Sequence, residues 1–566
     1  MAAELHHRRP AACDRWVPRL QRLYGFGSVY GKAVRDSRLA LFVVVGLVAL
    51  AVIIAGYGFH SAFGANRQAV RDMLASLPPA FVGIILGGGD VTNLDTLGGY
   101  VARDAQLFYL ALPIWSILAL SATLAEETRR GSLEFVASAA STKRRIALHK
   151  LAAHATVMAL VVAMVGLVVW LAGRAFADLP ADAISPGAAA GWSIWLGLSA
   201  LVAGSIAFAL APFLGRTAAA GIAGVLLATA YLGNAFAAAV PVFRSIGKLS
   251  WFSLIASFNP LAGQWSWGPL AVLAAVPLVL FAVGIEGFGR RDLAVGSRRA
   301  TIGPELPHPT FGLHGPTGRS LAERLVGALA WGAGIGAYGL IFSASSRSFQ
   351  QAIARTPGFA EFMQKLFPEP EVTTAGGFFH QATFMALAYP IAGLAAATLV
   401  AGWASDETSG RLEMLLTTPL APARWLLGSS LGACLAIAAM TAVIAVGVAV
   451  GTAMVGGDLA TAVVGTVVLG LYAAAMAGIG FAAGGLVSTR LAGLAVAVVV
   501  VAMFLDDFLV KGLSLPDWMH RLALSANFGQ PMVGTWDIRG VVASLLLAIG
   551  GLALGAWGIR RRDLSR

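Results

Sequence analysis

Long uninterrupted runs of apolar residues recur along the chain, separated by short polar segments. Each run approaches or exceeds the ~20 residues that an α-helix needs to cross a bilayer. The runs form two sets of six. The first set covers residues 39–58, 106–124, 151–173, 191–213, 217–238 and 267–287. The second set covers residues 325–344, 379–403, 426–455, 460–487, 491–509 and 540–559. The pattern therefore predicts twelve transmembrane spans.

Composition and continuity of the runs predict an all-α integral membrane protein. Apolar residues make up 58% of the 566-residue chain and charged residues only 12%, which is more hydrocarbon than a soluble protein can bury. A membrane β-barrel would instead show segments of about ten residues with alternating polarity. Helices are therefore expected, because a helix satisfies its backbone hydrogen bonds within one segment in lipid.

Lys and Arg residues are distributed unequally between alternate loops, and this sets the predicted orientation. With the N-terminus inside, 28 of the 40 Lys and Arg residues fall on the cytoplasmic side, where positive residues accumulate. Both termini are therefore predicted to be cytoplasmic. The formal net charge of +12 is then explained by topology and contact with membrane lipids, and we favour this explanation over binding of nucleic acid.

One charged motif occurs twice, each time after the second predicted span of a set. EETRRGSLEFVASA covers residues 126–139 and SDETSGRLEMLLTTP covers residues 405–419. At an offset of 279 the copies share a Gly, a Leu and a Glu, with an acidic residue ahead of the Gly. The matching pairs are Glu127 and Asp406, Gly131 and Gly410, Leu133 and Leu412, and Glu134 and Glu413. The predicted orientation of the spans places both copies of the motif on the cytoplasmic side of the membrane.

Three further correspondences indicate an internal repeat. PLAGQW at 260–265 corresponds to PMVGTW at 531–536, and GFGRRDL at the end of the sixth span corresponds to WGIRRRDL at the end of the twelfth, both at an offset of 271. Arg216 and Arg490 occupy short inside turns at an offset of 274. We predict two parallel six-helix repeats related by a pseudo-two-fold axis along the membrane normal.

The repeat and the charge pattern divide the chain into five parts. A basic arm with an interfacial helix precedes the first six-helix half. A Pro- and Gly-rich cytoplasmic linker without helical periodicity joins the halves, and a basic tail follows the second half. These parts cover residues 1–38, 39–289, 290–322, 323–560 and 561–566, in that order.

The chain lacks sequence signals for nucleotide or metal binding of its own. A phosphate-binding loop needs the pattern GxxxxGK[ST], and the segments around Lys32 and Lys248 lack both the earlier Gly and the following Ser or Thr. The sequence has no metal-ligand cluster, nucleophile elbow or paired catalytic carboxylates. We predict no catalytic residue, no metal site and no cofactor in this chain.

Few ionisable residues fall inside the predicted spans, where such residues usually mark an ion pathway. Glu286, at the cytoplasmic end of the sixth span, is expected to pair with the arginine one helical turn later. The acidic pair at 506–507 lies at the outer end of the eleventh span. His154 and His380 lie near span ends, and we expect interfacial or hydrogen-bonded histidines there rather than proton relays. A sodium site built from carbonyls and hydroxyls stays open.

The duplicated motif has the features of a short amphipathic helix. Apolar residues after the Gly fall at helical spacing, beginning with Leu133 and Leu412. Acidic residues precede this segment and basic residues follow it, which complements a helix dipole at both ends. Such a helix could pack its apolar stripe on a soluble partner. The alternative is a charged loop that only stops transfer, and the duplication favours a functional role.

The second copy resembles a loop of the export-type ABC permeases, the type V group with the ABCG-like transmembrane fold. In that group the loop between the second and third spans reads ExxxGxLExL and is followed by a short Ser/Thr-Pro segment, as in DETSGRLEMLLTTP. The resemblance covers the whole chain and is strongest to fused twelve-span permeases that export polyketide antibiotics such as tetronasin.

In that family the loop is a coupling helix that docks on a nucleotide-binding subunit. The resemblance therefore implies two cytoplasmic ABC ATPase subunits as partners, which bind ATP and Mg. It implies an ATPase-coupling set of Glu127, Gly131, Leu133, Glu134, Asp406, Glu407, Gly410, Leu412 and Glu413. The first copy departs from the family pattern, because Ala140 stands at the position of Pro419 and a basic pair at 143–144 replaces Pro422 and Ala423. We therefore expect the halves to couple unequally.

The resemblance also implies a substrate pathway lined by the second and fifth spans of each half. The candidate lining residues are Phe108, Tyr109, Trp115, Tyr231, Asn234, Phe384, Tyr389 and Phe504. Aromatic side chains can enclose a hydrophobic ligand, although packing and interfacial belts are their commoner roles in membrane helices. The absence of charge in this set favours apolar or amphiphilic cargo.

The function predicted from the sequence is that of a permease subunit in the bacterial plasma membrane. It would export hydrophobic or amphiphilic compounds, as in antibiotic or multidrug efflux, by alternating access driven by separate ATPase subunits. Transport ATPase activity is expected only in complex with them. An ion-coupled twelve-span carrier is the alternative, and the lack of a catalytic cluster disfavours a membrane-embedded enzyme.

Overall fold

The computed structural model of the protein describes residues 28–64, 66–68, 71, 94–104, 110–129, 142–235, 237, 245, 247–256, 258–290, 315–355, 386–408, 411–417, 419–512 and 516–562. The chain divides into two compact units, Met1–Pro304 and Glu305–Arg566. The boundary between them falls inside the segment predicted as a linker.

The first unit is helical in its described residues. Its helices are α1 Val29–Phe63, α2 Leu97–Asp104, α3 Ala111–Arg129, α4 Lys143–Ala175, α5 Pro186–Ala235, α6 Ser253–Ala256 and α7 Trp267–Arg290. Two 3-10 turns lie at Pro180–Asp182 and Pro260–Ala262. Helix α5 is interrupted at Gly215, whose φ of 79° and ψ of 173° are not helical. This break lies where the sequence predicts a short turn between the fourth and fifth spans.

The core of the first unit forms around α5, which packs against α3, α4 and α7, while α1 packs against α4. Large aromatic side chains fill the space between these helices. Phe208 of α5 meets Phe281 of α7 edge to face, with ring centroids 5.6 Å apart, and Trp192 is fully buried. In lipid such packing supplies much of the association between helices, since the bilayer is as apolar as the side chains.

The second unit has the same helical character. Its helices are α8 Gly315–Arg355, α9 Ala386–Thr408, α10 Arg411–Leu416, α11 Pro422–Met454, α12 Leu459–Leu486, α13 Thr489–Gly512, α14 Asp517–His520 and α15 Ile538–Ile559. Further 3-10 turns lie at Leu524–Asn527 and Pro531–Val533. The two-residue strands β1 Gly529–Gln530 and β2 Thr535–Trp536 pair antiparallel.

Small residues allow the helices of the second unit to approach closely. Helix α8 packs along α11, and α12 along α15. A Cβ atom added at Gly551 of α15 would lie 2.1 Å from the carbonyl oxygen of Gly478 in α12, and one added at Gly447 would lie 2.2 Å from that of Gly336. Glycines at such crossings let backbones meet without a side chain between them.

Nine helices within the described residues are long and apolar enough to cross a membrane. Shorter apolar helices stand at the positions of the second, fifth and eighth predicted spans, over Ala111–Ala122, Ala219–Ala235 and Leu387–Trp403. The prediction of an all-α membrane protein is therefore confirmed. The count of twelve spans and the cytoplasmic position of the termini stay predictions.

Helix α8 begins earlier than the sequence predicts. The irregular linker was expected to run to residue 322, but the chain is helical from Gly315. Polar contacts stabilise this first part of the helix. Arg319 pairs with Glu323 at 3.0 Å one turn later, and the hydroxyl of Ser320 donates to the carbonyl of Ser429 in α11 at 2.6 Å. Because these contacts involve polar side chains, they produce no apolar periodicity from which the start of the helix could be predicted.

Helix bounds recur in the two units at the offsets found in the sequence. Helices α4 and α11 both contain 33 residues, and both begin and end 279 residues apart. Helices α3 and α9 end at Arg129 and Thr408, at the same offset. Helices α7 and α15 begin at Trp267 and Ile538, 271 residues apart. These helix bounds have the same offsets as the repeated motifs in the sequence, and the internal repeat itself stays a prediction.

The paired motifs PLAGQW and PMVGTW fold into the same local structure. Each forms a 3-10 turn that ends at a glycine in the left-handed region, Gly263 with φ 75° and Gly534 with φ 90°. Residues on either side of each turn then pair antiparallel, Asn259 with Gln264 and Gln530 with Thr535. The glycine is required because only a residue without Cβ adopts this conformation at no cost.

Candidate coupling site

The second copy of the charged motif forms a short helix between two long ones. Helix α9 ends at Thr408, α10 covers Arg411–Leu416, and α11 begins at Pro422. The end of α10 is closed by Thr417, whose backbone N–H donates to the carbonyl of Glu413 at 3.1 Å and whose hydroxyl donates to that of Met414 at 2.7 Å. A short helix was predicted at this position, and the structure confirms it.

The side chains of α10 divide between an inner and an outer face. Leu412 is only 2% exposed, whereas Met414 is 65% exposed. Glu413 also faces outwards, and Leu415 and Leu416 are half-buried. The sequence placed Leu412 at the start of a stripe available to a partner. In the structure its side chain is buried, and Glu413 and Met414 form the accessible surface of α10.

Asp406 is buried near the end of α9, just before this short helix. The Nη2 atom of Arg319, in the first turns of α8, donates to its Oδ1 atom at 3.2 Å. The Nε atom of Arg319 donates in turn to Glu323 at 3.0 Å. Asp406 therefore links the end of α9 to the beginning of α8.

Glu407, the next residue, links α9 to three more segments. Its Oε1 atom accepts a hydrogen bond from Nη2 of Arg562, which follows α15. Its Oε2 atom accepts one from the hydroxyl of Thr489 at the start of α13. Arg562 also donates through Nη1 to the carbonyl of Gly484 in α12 at 3.1 Å. We call the contacts of Asp406 and Glu407 with Arg319, Arg562 and Thr489 the acidic clasp.

Buried aromatic side chains and the buried Arg324 stabilise the part of α9 that precedes the acidic clasp. Trp403, one turn before Asp406, is fully buried and lies against Trp425 and Phe481, with ring centroids 5.6 and 5.0 Å away. The Nε atom of Arg324 donates to the carbonyl of Leu399 in α9 at 2.8 Å. Buried charges are stable only when paired and hydrogen-bonded, and the clasp meets this requirement.

A cavity of about 330 Å³ lies beside α10. Its walls include Arg319, Asp406 and Leu415, so it borders both the clasp and the half-buried side of the short helix. Within the described residues no group of three or more His, Cys, Asp or Glu lies close enough to hold a metal ion.

Most of the first copy of the motif lies outside the described residues. This applies to Gly131, Leu133 and Glu134, and also to Gly410 of the second copy. Glu127 lies in the last turn of α3, with its side chain outside the described part. The coupling role of both copies therefore stays a prediction.

The predicted pair of Glu286 and Arg290 is confirmed. Arg290 Nε donates to Glu286 Oε1 at 2.6 Å. Glu286 also pairs with Arg144 of α4, whose Nη2 atom lies 2.7 Å from Oε2. The sequence did not identify Arg144, because it lies 142 positions away. All three side chains are well exposed, so these pairs add little to stability.

His154 is a buried, hydrogen-bonded histidine, as the sequence predicts. Its Nε2 atom lies 3.0 Å from the hydroxyl oxygen of Ser116 in α3. Trp115, one of the candidate pathway residues, packs on the imidazole with ring centroids 4.9 Å apart. Trp115 is itself buried in the core of the first unit.

The remaining pathway candidates occupy several different surroundings. Tyr389 is buried and stacks on Phe528 at 5.6 Å, and Tyr231 meets Phe252 edge to face at 5.7 Å. Side chains of Asn234 and Phe504 are half-buried. Phe108, Tyr109 and Phe384 lie outside the described residues. Tyr389 and Trp115 thus pack within the cores of their units, and the pathway itself stays a prediction.

A comparison with models of protein families gives a match for the second half of the chain. Residues 313–560 match a family model described as the C-terminal domain of the multidrug efflux system permease Rv1217c. This range contains the described helices of the second unit, α8 to α15, and amounts to a little under half of the chain. A comparison with curated proteins found no match.

The second half is therefore similar to a domain of a multidrug efflux permease. Together with the nine long apolar helices, this similarity agrees with the location predicted from the sequence. The chain is a multi-pass protein of the bacterial plasma membrane.

Proposed function

We propose that the chain is the transmembrane permease subunit of an ATP-binding-cassette exporter for hydrophobic or amphiphilic compounds, as in antibiotic or multidrug efflux. The similarity of the second half to a multidrug efflux permease supports the efflux part of this proposal. The duplicated motif supports the part that concerns ATP. Two copies imply two cytoplasmic ATPase subunits, one for each half.

The acidic clasp is the observation on which the ATP-driven mechanism rests. Helix α10 presents Glu413 and Met414 outwards, and the residues just before it are tied to other helices of the unit. A force applied to α10 by a docked subunit would therefore reach α8 through Asp406. It would reach α12, α13 and the end of α15 through Glu407. Buried, paired contacts of this kind switch between discrete arrangements rather than deform gradually.

The energy for transport must come from the partner in this proposal, because the sequence carries no phosphate-binding loop. ATP and Mg would bind to the ATPase subunits. Closure of those subunits would move the coupling segments and switch the transport pathway from inward to outward access. Internal repeats of this kind are common in transporters that work by alternating access.

An ion-coupled carrier is the alternative, and the contact of His154 with Ser116 is the observation that favours it. A buried imidazole with a hydroxyl partner is a group that can hold or release a proton. A structural role also explains this histidine, because the ring of Trp115 packs against its imidazole. An ion-coupled carrier does not require an exposed short helix whose neighbouring residues are tied to other helices, whereas the ATP-driven mechanism does.

Co-expression of the chain with candidate ATPase subunits tests the proposal. We expect a stable complex in which hydrophobic substrates stimulate ATP hydrolysis and vanadate inhibits it. The matched control is the ATPase subunits purified without the permease, which should show no stimulation by substrate. Efflux by the chain alone in proteoliposomes, driven by an ion gradient and independent of ATP, would contradict the proposal and support the carrier.

A further inference from the structure

A groove of about 850 Å³ opens on the second unit where the first turns of α8 and α11 meet the end of α15. Pro316 and Thr317 line it from α8, and Arg424, Leu427 and Leu431 line it from α11. Ile559, Arg560 and Arg562 close its remaining side. By the predicted orientation all three helix ends lie at the cytoplasmic surface of the membrane, so the groove joins the aqueous and lipid phases.

The polar end of this groove carries positive charge. Side chains of Arg424 and Arg560 are exposed, and neither forms an ion pair within the described part of the chain. Arg562 already pairs with Glu407. The neighbouring Arg561 lies over the ring of Trp557, 4.1 Å from its centroid. The lining residues include no acidic side chain, so an anionic ligand would meet arginines, apolar side chains and the hydroxyl of Thr317.

The equivalent helix ends of the first unit carry a different set of charged residues. There Glu286 accepts from both Arg144 and Arg290. At the offset of 271, Trp557 stands at the position of Glu286 and Arg560 at the position of Gly289. The end of α15 has therefore exchanged an acid for an aromatic residue and gained an arginine, while Ala423 of α11 stands at the position of Arg144. Arg560 thus lies at a helix end where the second half has no acidic residue at the position of Glu286.

The apolar end of the groove continues along α11. Leu427, Leu431 and Leu435 follow one another at intervals of four residues, so they share one helix face. All three are exposed, and all three lie within the predicted ninth span. This face forms an apolar strip that leads from the arginines towards the middle of the bilayer.

We propose that the groove binds an anionic phospholipid of the cytoplasmic leaflet. The phosphate group lies at Arg424 and Arg560, and one acyl chain follows the strip of Leu427, Leu431 and Leu435. Guanidinium groups make strong charge-assisted hydrogen bonds to phosphate oxygens, and basic pockets between transmembrane helices at the cytoplasmic side are suited to acidic headgroups. A zwitterionic lipid gains less, because its own cation is repelled by the arginines.

Lipid binding to the purified full-length chain tests this inference without any ATPase subunit. The probes are phosphatidylglycerol and phosphatidylcholine of the same acyl chains, added to the delipidated protein in detergent and counted by native mass spectrometry. We expect tighter binding of phosphatidylglycerol, and about a tenfold weaker affinity for it in the double variant Arg424→Gln and Arg560→Gln. The matched control is Arg521→Gln and Arg539→Gln, two exposed arginines at the predicted outer side.

Equal affinity of the wild type for the two lipids would overturn the proposal, as would an unchanged affinity for phosphatidylglycerol in the Arg424 and Arg560 variant. Full displacement of the lipid by millimolar inorganic phosphate would also overturn it, because it would leave no role for the apolar strip. Weaker binding of phosphatidylglycerol in the Arg424 and Arg560 variant, with unchanged binding in the Arg521 and Arg539 control, supports the proposal. Each readout is independent of transport, so the lipid site and the proposed exporter function succeed or fail separately.

Discussion

Asp406 and Glu407 bring two negative charges to a place that apolar helices surround. Both are held by arginines from distant parts of the second unit, Arg319 and Arg562. The adjacent Glu413 faces outwards and has no ion pair among the described residues. Two glutamates six positions apart in one motif thus have opposite surroundings, and this difference can be tested by the same substitution at each.

We predict that Glu407→Gln destabilises the chain and that Glu413→Gln does not. Replacement at 407 removes the charge that compensates Arg562, and loss of a hydrogen bond between charged groups costs about 2 kcal/mol. The measurement is the thermal unfolding midpoint of the purified chain in detergent. Glu413→Gln is the matched control, since it makes the same chemical change on the exposed face. Equal unfolding midpoints for the two variants would contradict a stabilising role for the clasp.

We predict that Met414→Asp prevents association with the ATPase subunits while leaving the chain stable. Met414 is 65% exposed, so the new charge stays in water in the free chain, but it would be desolvated in an apolar contact with a partner. The measurement is recovery of the ATPase subunits with the tagged permease. Leu412→Asp is unsuited to this question, because a charge at that buried position would unfold α10.

Met454→Asp is the control for this second prediction. Met454 ends α11 and is 69% exposed, and the predicted orientation places it on the outer side. The Met454→Asp variant should therefore still bind the ATPase subunits. An intact complex with Met414→Asp as well would show that the exposed face of α10 is not the docking surface.

The sequence identified the motif, its short helix and its charged residues, but it did not identify their partners. Arg319 lies 87 positions from Asp406, and Arg562 lies 155 positions from Glu407. A charge beside a transmembrane span must be paired or solvated, so the need for a partner is visible in the sequence. The identity of that partner depends on which helices are neighbours. Leu412 illustrates the same limit, because helical spacing defines a stripe but not what covers it.

At the scale of elements, the contact of α12 with α15 depends on glycines that the hydropathy pattern does not distinguish. We predict that Gly551→Ala lowers the thermal unfolding midpoint of the chain and that Gly550→Ala does not. A Cβ at Gly551 would lie 2.1 Å from the carbonyl oxygen of Gly478, whereas one at Gly550 has no atom within 4 Å. Overpacking a close contact costs about 1–3 kcal/mol.

The two variants form a matched pair, since each adds one methyl group to the same turn of the same helix. Their helix propensities change equally, so any difference in stability reports the contact with α12. An unfolding midpoint that falls equally in both would mean that α15 does not depend on close approach at Gly551.

The sequence predicted the long helices correctly, because a long apolar run is sufficient to identify a membrane-spanning helix. All described long helices lie at predicted spans, and the break at Gly215 lies at a predicted turn. The first turns of α8 were not predicted. They hold Arg319, Ser320 and Arg324, whose side chains bond to α9 and α11. Helix formation there is stabilised by contacts with other helices, which no local pattern records.

At the scale of the whole molecule, the duplicated motif keeps only part of the residues that form the acidic clasp in the second half. At the offset of 279, Thr128 stands at the position of Glu407, and at the offset of 274, Gly215 stands at the position of Thr489. At these two positions the first half therefore lacks the acid and the hydroxyl that join α9 to α13 and α15 in the second half. Movement of the first coupling segment would reach fewer helices by this route.

We therefore predict that the halves couple unequally, with the second half dominant. Glu134 and Glu413 occupy the same position of the motif, so Glu134→Lys and Glu413→Lys make the same change at each docking segment. The measurement is substrate-stimulated, vanadate-sensitive ATP hydrolysis by the assembled complex, normalised to the amount of ATPase subunit bound. We expect a several-fold larger loss from Glu413→Lys, because the clasp joins its motif to the rest of the unit, whereas Thr128 replaces Glu407 in the first copy. Equal losses would mean that force enters both halves through contacts other than the clasp.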